Sequence, residues 1–239
     1  MENKEYRSVT LNAPQSDDYY TREAYRSFRT NLLFCGSDKK VIGLTSCMAG
    51  EGKSTISMGI ARSLSEVGKR VLLIDADMRK SNLQNVWVDE SAGEIAGLSQ
   101  FLSGQAERDD VICATQHEGF HIVFCGPYPP NPVELLDSER FRAFIADVRE
   151  EYDYVLIDNA PVGLVIDAAV VARVCDGVVL VMAAGKISAR TARTCKAQIE
   201  KSGCSLLGVV LNHTERRNRA YYKKDEHNYY HYSNNEKKD

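Results

Sequence analysis

Two kinds of apolar pattern alternate along the chain. Short, nearly unbroken apolar runs occupy Val41–Thr45, Val71–Ile74, Ile122–Phe124, Val155–Ile157, Val178–Met182 and Leu206–Leu211, the form taken by strands buried on both faces of a parallel sheet. Between them lie longer segments with helical spacing, notably Ser54–Val67, Pro132–Glu150 and Ala189–Lys201. Alternating strands and helices predict an α/β fold: a doubly wound, mostly parallel sheet with helices on both faces. In such sheets ligands bind beyond the carboxyl ends of the strands, so the residues that follow each strand carry the chemistry.

The flanks differ from this middle. Residues 1–18 read as a polar arm. From Tyr20 to Phe34, Tyr25, Phe28 and Leu32 fall at i, i+3 and i+7, one apolar face of a helix for which Asp17 and Asp18 are candidate caps. Residues 213–239 contain no Val, Ile, Leu, Met or Phe, yet hold five of the twelve tyrosines: Tyr221, Tyr222, Tyr229, Tyr230 and Tyr232. Such a segment cannot build a core and reads as a flexible tail. The expected organisation is therefore an arm and helix over 1–36, a central domain over 37–212, and a tyrosine-rich tail over 213–239. No internal repeat is visible.

Composition adds mainly exclusions. Hydrophobic residues make up 44% and charged residues 26%, ordinary for a globular chain, and a formal charge of −3 gives no reason to expect nucleic acid as a partner. The polar start, Met1 to Ser8, is unlike a secretory leader. The longest apolar run, Val178–Ala184, is far short of the roughly 20 residues that cross a bilayer. The seven cysteines are odd in number, scattered and without a CxxC pair. They read as reduced cytosolic thiols, mostly small core residues.

The chemistry begins at Val41–Thr45, which runs into Ser46-Cys47-Met48-Ala49-Gly50-Glu51-Gly52-Lys53-Ser54-Thr55. A strand, a loop ending G-K-S-T and a helix form a phosphate-binding loop. Its glycines turn backbone N–H groups of Ala49 to Thr55 inward, and the helix N-terminus adds its dipole. Lys53 would reach the β- and γ-phosphates of ATP, and the Ser54 hydroxyl would ligate Mg²⁺. Cys47 stands where such loops usually have their first glycine. Either it is a small residue tolerated there, or the N–H groups and helix N-terminus favour its thiolate and make it reactive. The next strand ends Ile74-Asp75-Ala76-Asp77-Met78-Arg79, two carboxylates on one side of extended chain. They could hold Mg²⁺ or take the proton of an attacking hydroxyl, or merely form salt bridges at a polar strand end. A third strand ends at Asp158, the Walker B pattern for a Mg²⁺ acid.

Together the loop at 46–55, Asp75-x-Asp77-x-Arg79, Asp158 and the C-terminal tyrosine cluster resemble the bacterial tyrosine kinases of capsule and exopolysaccharide biosynthesis. The resemblance runs over nearly the whole chain, including Pro129-Pro130-Asn131-Pro132-Val133-Glu134-Leu135-Leu136. It implies the fold of the partition and positioning ATPases, and an ATP- and Mg²⁺-dependent autokinase that phosphorylates tail tyrosines of its own or a neighbouring subunit. It also implies roles: Lys53 and the acids in catalysis, with Asp75 as base and Asp77 and Asp158 with Ser54 at Mg²⁺. Arg79 would join the ATP site and Asn212 would face adenine. Glu23, Arg26 and Arg29 match the family's E-x-x-R-x-x-R motif, which joins subunits into a ring; the plainer reading of these three is a surface Glu–Arg pair. The implied partners are a transmembrane adaptor that supplies an activating segment, a cognate tyrosine phosphatase and enzymes of the polysaccharide pathway, with the kinase cytoplasmic and recruited to the inner face of the membrane. One departure is Asp158-Asn159-Ala160-Pro161 in place of the more usual D-T-P-P.

Three other readings share parts of this pattern. A partition or positioning ATPase would carry a second lysine early in the loop, and Ser46–Ala49 has none. A metal-cluster carrier would need paired cysteines, and Cys113 and Cys125 form no CxxC. A non-catalytic nucleotide binder would not need the full set Lys53, Asp75, Asp77 and Asp158.

Overall fold

A fully apolar run can become a strand only where both of its faces are covered, and the sheet meets that demand by burying alternate residues in opposite directions. The structure, a computed structural model, describes residues 6–12, 18–88 and 93–214. In chain order these form β1 (Arg7–Val9), α1 (Tyr19–Phe34), β2 (Val41–Ser46), α2 (Lys53–Ser65), β3 (Val71–Asp75), α3 (Leu83–Trp87), α4 (Leu98–Leu102), α5 (Arg108–Val111), β4 (Cys113–Thr115) and β5 (Phe120–Val123). There follow α6 (Pro132–Leu136), α7 (Glu139–Glu151), β6 (Tyr154–Asp158), α8 (Asp167–Val171), β7 (Gly177–Ala183), α9 (Ala189–Lys201) and β8 (Leu206–Asn212).

The strands make one sheet in the order β1-β4-β5-β3-β6-β2-β7-β8. Every neighbouring pair is parallel except β4 with β5. Ile42, Leu44, Leu73 and Leu156 face a core shared with Leu32 of α1 and with Met58, Ile60 and Leu64 of α2. Their neighbours Val41, Leu72, Ile74, Val155 and Ile157 face the opposite core, built with Phe101 of α4 and Phe141, Phe144 and Val148 of α7. Near the β8 edge a smaller cluster holds Cys47, Val178, Leu180, Cys195 and Ile199. The expected doubly wound architecture is present, and the register sets Asp75 of β3 directly beside Asp158 of β6.

Two expectations need correction. The segment 1–18 is not simply a polar arm: β1 pairs with β4 at the sheet edge, and Val9 and Leu11 are buried in the core. The stretch 132–150 is two helices, because Ser138 caps the second by accepting from Phe141 N at 3.2 Å. The helix ahead of β2 forms as expected, with Asp18 as its cap accepting from Thr21 N at 2.8 Å. Asp17 and the five tail tyrosines lie outside the described residues. Among the described residues no helix is long and apolar enough to cross a membrane.

Candidate active site

The loop between β2 and α2 turns on two glycines in left-handed backbone, Gly50 at φ 77° and Gly52 at φ 85°. Gly52 has a second reason to lack a side chain, since a Cβ there would stand 2.1 Å from Asn212 Nδ2. Asn212, the last residue of β8, donates to the Glu51 carbonyl at 2.9 Å. The Glu51 side chain points inward and accepts from Met48 N at 2.6 Å and Ala183 N at 2.9 Å. It ties the loop to the end of β7, so its side chain supports the loop from behind.

At the head of α2, Lys53 is buried and its Nζ lies 2.7 Å from Asp158 Oδ2, 3.8 Å from Asp77 Oδ2 and 3.3 Å from Ser54 Oγ. Asp158 also accepts from Ser54 Oγ and from Ser57 Oγ, both at 2.7 Å. Three donors thus fix the Walker B carboxylate in a site it could not enter alone, because an unpaired buried charge is costly. Asp77 accepts from the backbone N–H groups of Arg79 and Lys80 at 3.3 and 3.1 Å.

Asp75 is the least compensated of the acids. Its side chain accepts from Ser81 Oγ and from Asp77 N. Burial, and then the charge of Asp158, push its pKa up to about 7. A carboxyl poised there is matched to accepting a proton near neutral pH. It opens onto a cleft of about 250 Å³ lined by Ser81, Asn85, Cys125 and Tyr128 among others, and Tyr128 Oη donates to the Ser81 carbonyl. A larger, more open depression of about 480 Å³ lies near the β1 edge against Arg7, Glu94 and Asp109, and shares no residue with the loop.

The structure therefore brings together Ala49 to Thr55, Lys53, Asp75, Asp77, Asp158 and Asn212. It commits Arg79 to Asp167, with bonds of 2.8 and 3.0 Å from Nε and Nη2 to the two carboxylate oxygens. Sequence reasoning missed Asp167, as well as Ser57, Ser81 and Tyr128, since none belongs to a local pattern. Away from the loop, Glu23 and Arg26 pair with each other on the exposed side of α1, while Arg29 donates to the Ser63 carbonyl of α2 at 2.6 Å. Cys47 is wholly buried and its thiol is pushed up to about 12, chiefly by burial and then by its contact with Cys195. Of the two readings of Cys47, its burial favours the small residue tolerated in the loop: the thiol packs into the core behind it.

Among the described residues no cluster of three or more His, Cys, Asp or Glu stands ready to hold a metal. The donor set nonetheless suits Mg²⁺, which takes one or two carboxylates and completes its shell with water and substrate phosphates. Ser54 Oγ and Asp158 Oδ2 meet at 2.7 Å, with Asp77 across Lys53 from them.

Known proteins resemble this chain in sequence and in fold. The family described as AAA domain matches residues 39–202. The tyrosine-protein kinase CpsD of Streptococcus agalactiae is 42% identical over 192 residues, covering 80% of this chain and 83% of that one. The solved kinase domain of Escherichia coli tyrosine kinase ETK is 31% identical with a TM-score of 0.77, over 82% of this chain and 76% of that one. The chimerical protein CapA2B2 is 30% identical with a TM-score of 0.77, over 87% of this chain and 94% of that one.

Proposed function

The chain belongs to the bacterial tyrosine kinases built on a P-loop AAA domain, and from that premise we propose that it transfers the γ-phosphoryl group of ATP to tyrosines of its own C-terminal tail or a neighbour's, within a capsule or exopolysaccharide system. The observation that carries the proposal is the convergence of Lys53, Asp75, Asp77 and Asp158 at the carboxyl ends of neighbouring strands, beside the phosphate loop.

Phosphoryl transfer asks the protein for position and charge rather than covalent chemistry. The N–H groups of Ala49 to Thr55 cradle the phosphates. Lys53 exchanges its bond to Asp158 for phosphate oxygens as nucleotide enters. Ser54, Asp77 and Asp158 would hold Mg²⁺, which supplies neutralisation of the charge on the β- and γ-oxygens. Asp75, across the cleft, takes the phenolic proton as the tyrosine oxygen attacks. Asn212, fixed on the Glu51 carbonyl, borders the space for the base. Arg79, held by Asp167, screens the acids at the rim.

The same proposal extends to partners. A transmembrane adaptor supplies the activating segment and brings the kinase to the inner face of the membrane, and a tyrosine phosphatase reverses the reaction. Glu23 and Arg26 join subunits into a ring, with Arg29 holding α1 on its own domain. Replacing Glu23 and Arg26 by Ala should lower the mass read by light scattering in the presence of the adaptor segment; an unchanged mass restores the surface-pair reading. The kinase itself is tested by anti-phosphotyrosine detection after incubation with ATP and Mg²⁺, with and without that segment. ATP hydrolysis without phosphotyrosine would instead mark a positioning-type ATPase.

A further inference from the structure

Tyr-Tyr doublets occur three times in the chain, at Tyr19-Tyr20, Tyr221-Tyr222 and Tyr229-Tyr230. The last two belong to the tail. The first opens α1, and its two rings are 65% and 61% exposed, edge to face at 5.8 Å. Of the other described tyrosines, Tyr6 and Tyr152 meet His121, Tyr25 Oη reaches the Thr55 carbonyl, Tyr154 is buried, and Tyr128 is bonded to Ser81.

The position of the doublet follows from how α1 lies on α2. Tyr25 packs over Gly59, where a Cβ would stand 2.0 Å from the ring, and Arg29 bonds Ser63. Both contacts have the same offset of 34 residues, so the two helices advance in step and in the same direction. Carried back at that offset, Tyr19 and Tyr20 stand level with Lys53 and Ser54, at the phosphate end of the domain. Two exposed phenols thus stand at the phosphate end of the domain, on a first helical turn capped by the Asp18 side chain.

We propose that Tyr19 and Tyr20 are a second phosphoacceptor site of this kinase, outside the tail. The inference rests on the kinase reading above. In the reaction the phenolic oxygen forms a bond to the γ-phosphorus while the bond from that phosphorus to the β–γ bridging oxygen breaks. ADP leaves with the electron pair, and the phenolic proton passes to a site carboxylate and then to water. The product sits well where it forms, because a helix N-terminus favours negative charge. It also has a consequence. Glu23 lies four and three residues beyond the doublet on the same helical face, so each phosphate sets about −1.5 to −2 charges beside Glu23 and weakens its hold on Arg26.

Trypsin separates the two candidate regions, because residues 8–22 form one peptide whose only tyrosines are Tyr19 and Tyr20, and the tail tyrosines fall in later peptides. The full chain is incubated with ATP, Mg²⁺ and the activating segment, digested, and mapped by fragmentation mass spectrometry beside Lys53→Met. The expected result is phosphate on Tyr19 or Tyr20 in the wild type and none in Lys53→Met. In a chain with all five tail tyrosines changed to Phe, phosphotyrosine should persist and fall at least tenfold on adding Tyr19→Phe and Tyr20→Phe. Phosphorylated tail peptides beside an unmodified 8–22 peptide overturn this second site and leave the kinase standing. Absence of phosphate from both regions overturns the two together.

Discussion

Lys53 and Asp158 lie 2.7 Å apart at the mouth of the phosphate loop, both almost fully buried. The lysine that should hold phosphate thus rests on the carboxylate that should hold the cation, and one ammonium faces a pocket of three acids. On the proposed reading, an entering phosphate would take the place of Asp158 at Lys53 and leave Asp158 free to hold the cation.

Lys53→Met should abolish tyrosine phosphorylation and also destabilise the protein without nucleotide. Removing one partner of a buried pair typically costs about 3–5 kcal/mol, because the other charge stays behind. The fall in Tm should exceed that of Ser54→Ala, which removes one hydrogen bond of about 1 kcal/mol. Calorimetry of the two variants at one pH makes the comparison.

Arg79 and Asp167 act as a latch between the segment after β3 and the head of α8. Asp167 is wholly buried, whereas the Arg79 side chain is 42% exposed. Arg79→Ala should therefore cost more than Asp167→Asn, because it strands a buried carboxylate while the reverse leaves an arginine free to reach water. Urea midpoints of both single variants and the double variant give the coupling between them.

His121 is half-buried against Tyr152, with Nδ1 2.7 Å from Tyr152 Oη, and burial lowers its pKa from 6.5. A lowered folded-state pKa means that the unfolded chain takes up the proton first. The contribution is full above about pH 6.5 and is lost as pH falls through the folded-state value. The Tm of wild type should drop more steeply between pH 7 and pH 5 than that of His121→Gln, measured in the same buffers.

Cys47, with a thiol raised to about 12 and no exposed surface, should resist alkylation at pH 8 in the folded protein, with or without ATP. In strong denaturant all seven cysteines should label. Peptide mapping after a short iodoacetamide pulse distinguishes this from a reactive loop cysteine.

What could be read before the structure was local. The loop at 46–55 has fixed spacing, Asp75 and Asp158 each close an apolar run, and Asp77 stands two residues beyond the first, so strand ends and spacing marked all three. Partners set by tertiary packing left no such trace. Asp167 lies 88 residues from Arg79 at the start of a five-residue helix. Ser81 and Tyr128 meet across 47 residues, from segments without period. β1 and β4 are three residues each, too short to show alternation, and their pairing turned an expected arm into a sheet edge. For Cys47 the local pattern left two readings open, and tertiary packing separates them: the side chain turns to Cys195 behind the loop.

The central claim is that this P-loop site phosphorylates tyrosine with Asp75 as the proton acceptor. Its most direct test is phosphotyrosine formation by Asp75→Asn beside wild type, with ATP, Mg²⁺ and the activating segment, together with nucleotide binding by both proteins. The account predicts unimpaired ATP binding and a loss of roughly 10²–10⁴-fold in the rate of tyrosine phosphorylation. Wild-type rates in a folded Asp75→Asn protein would contradict it.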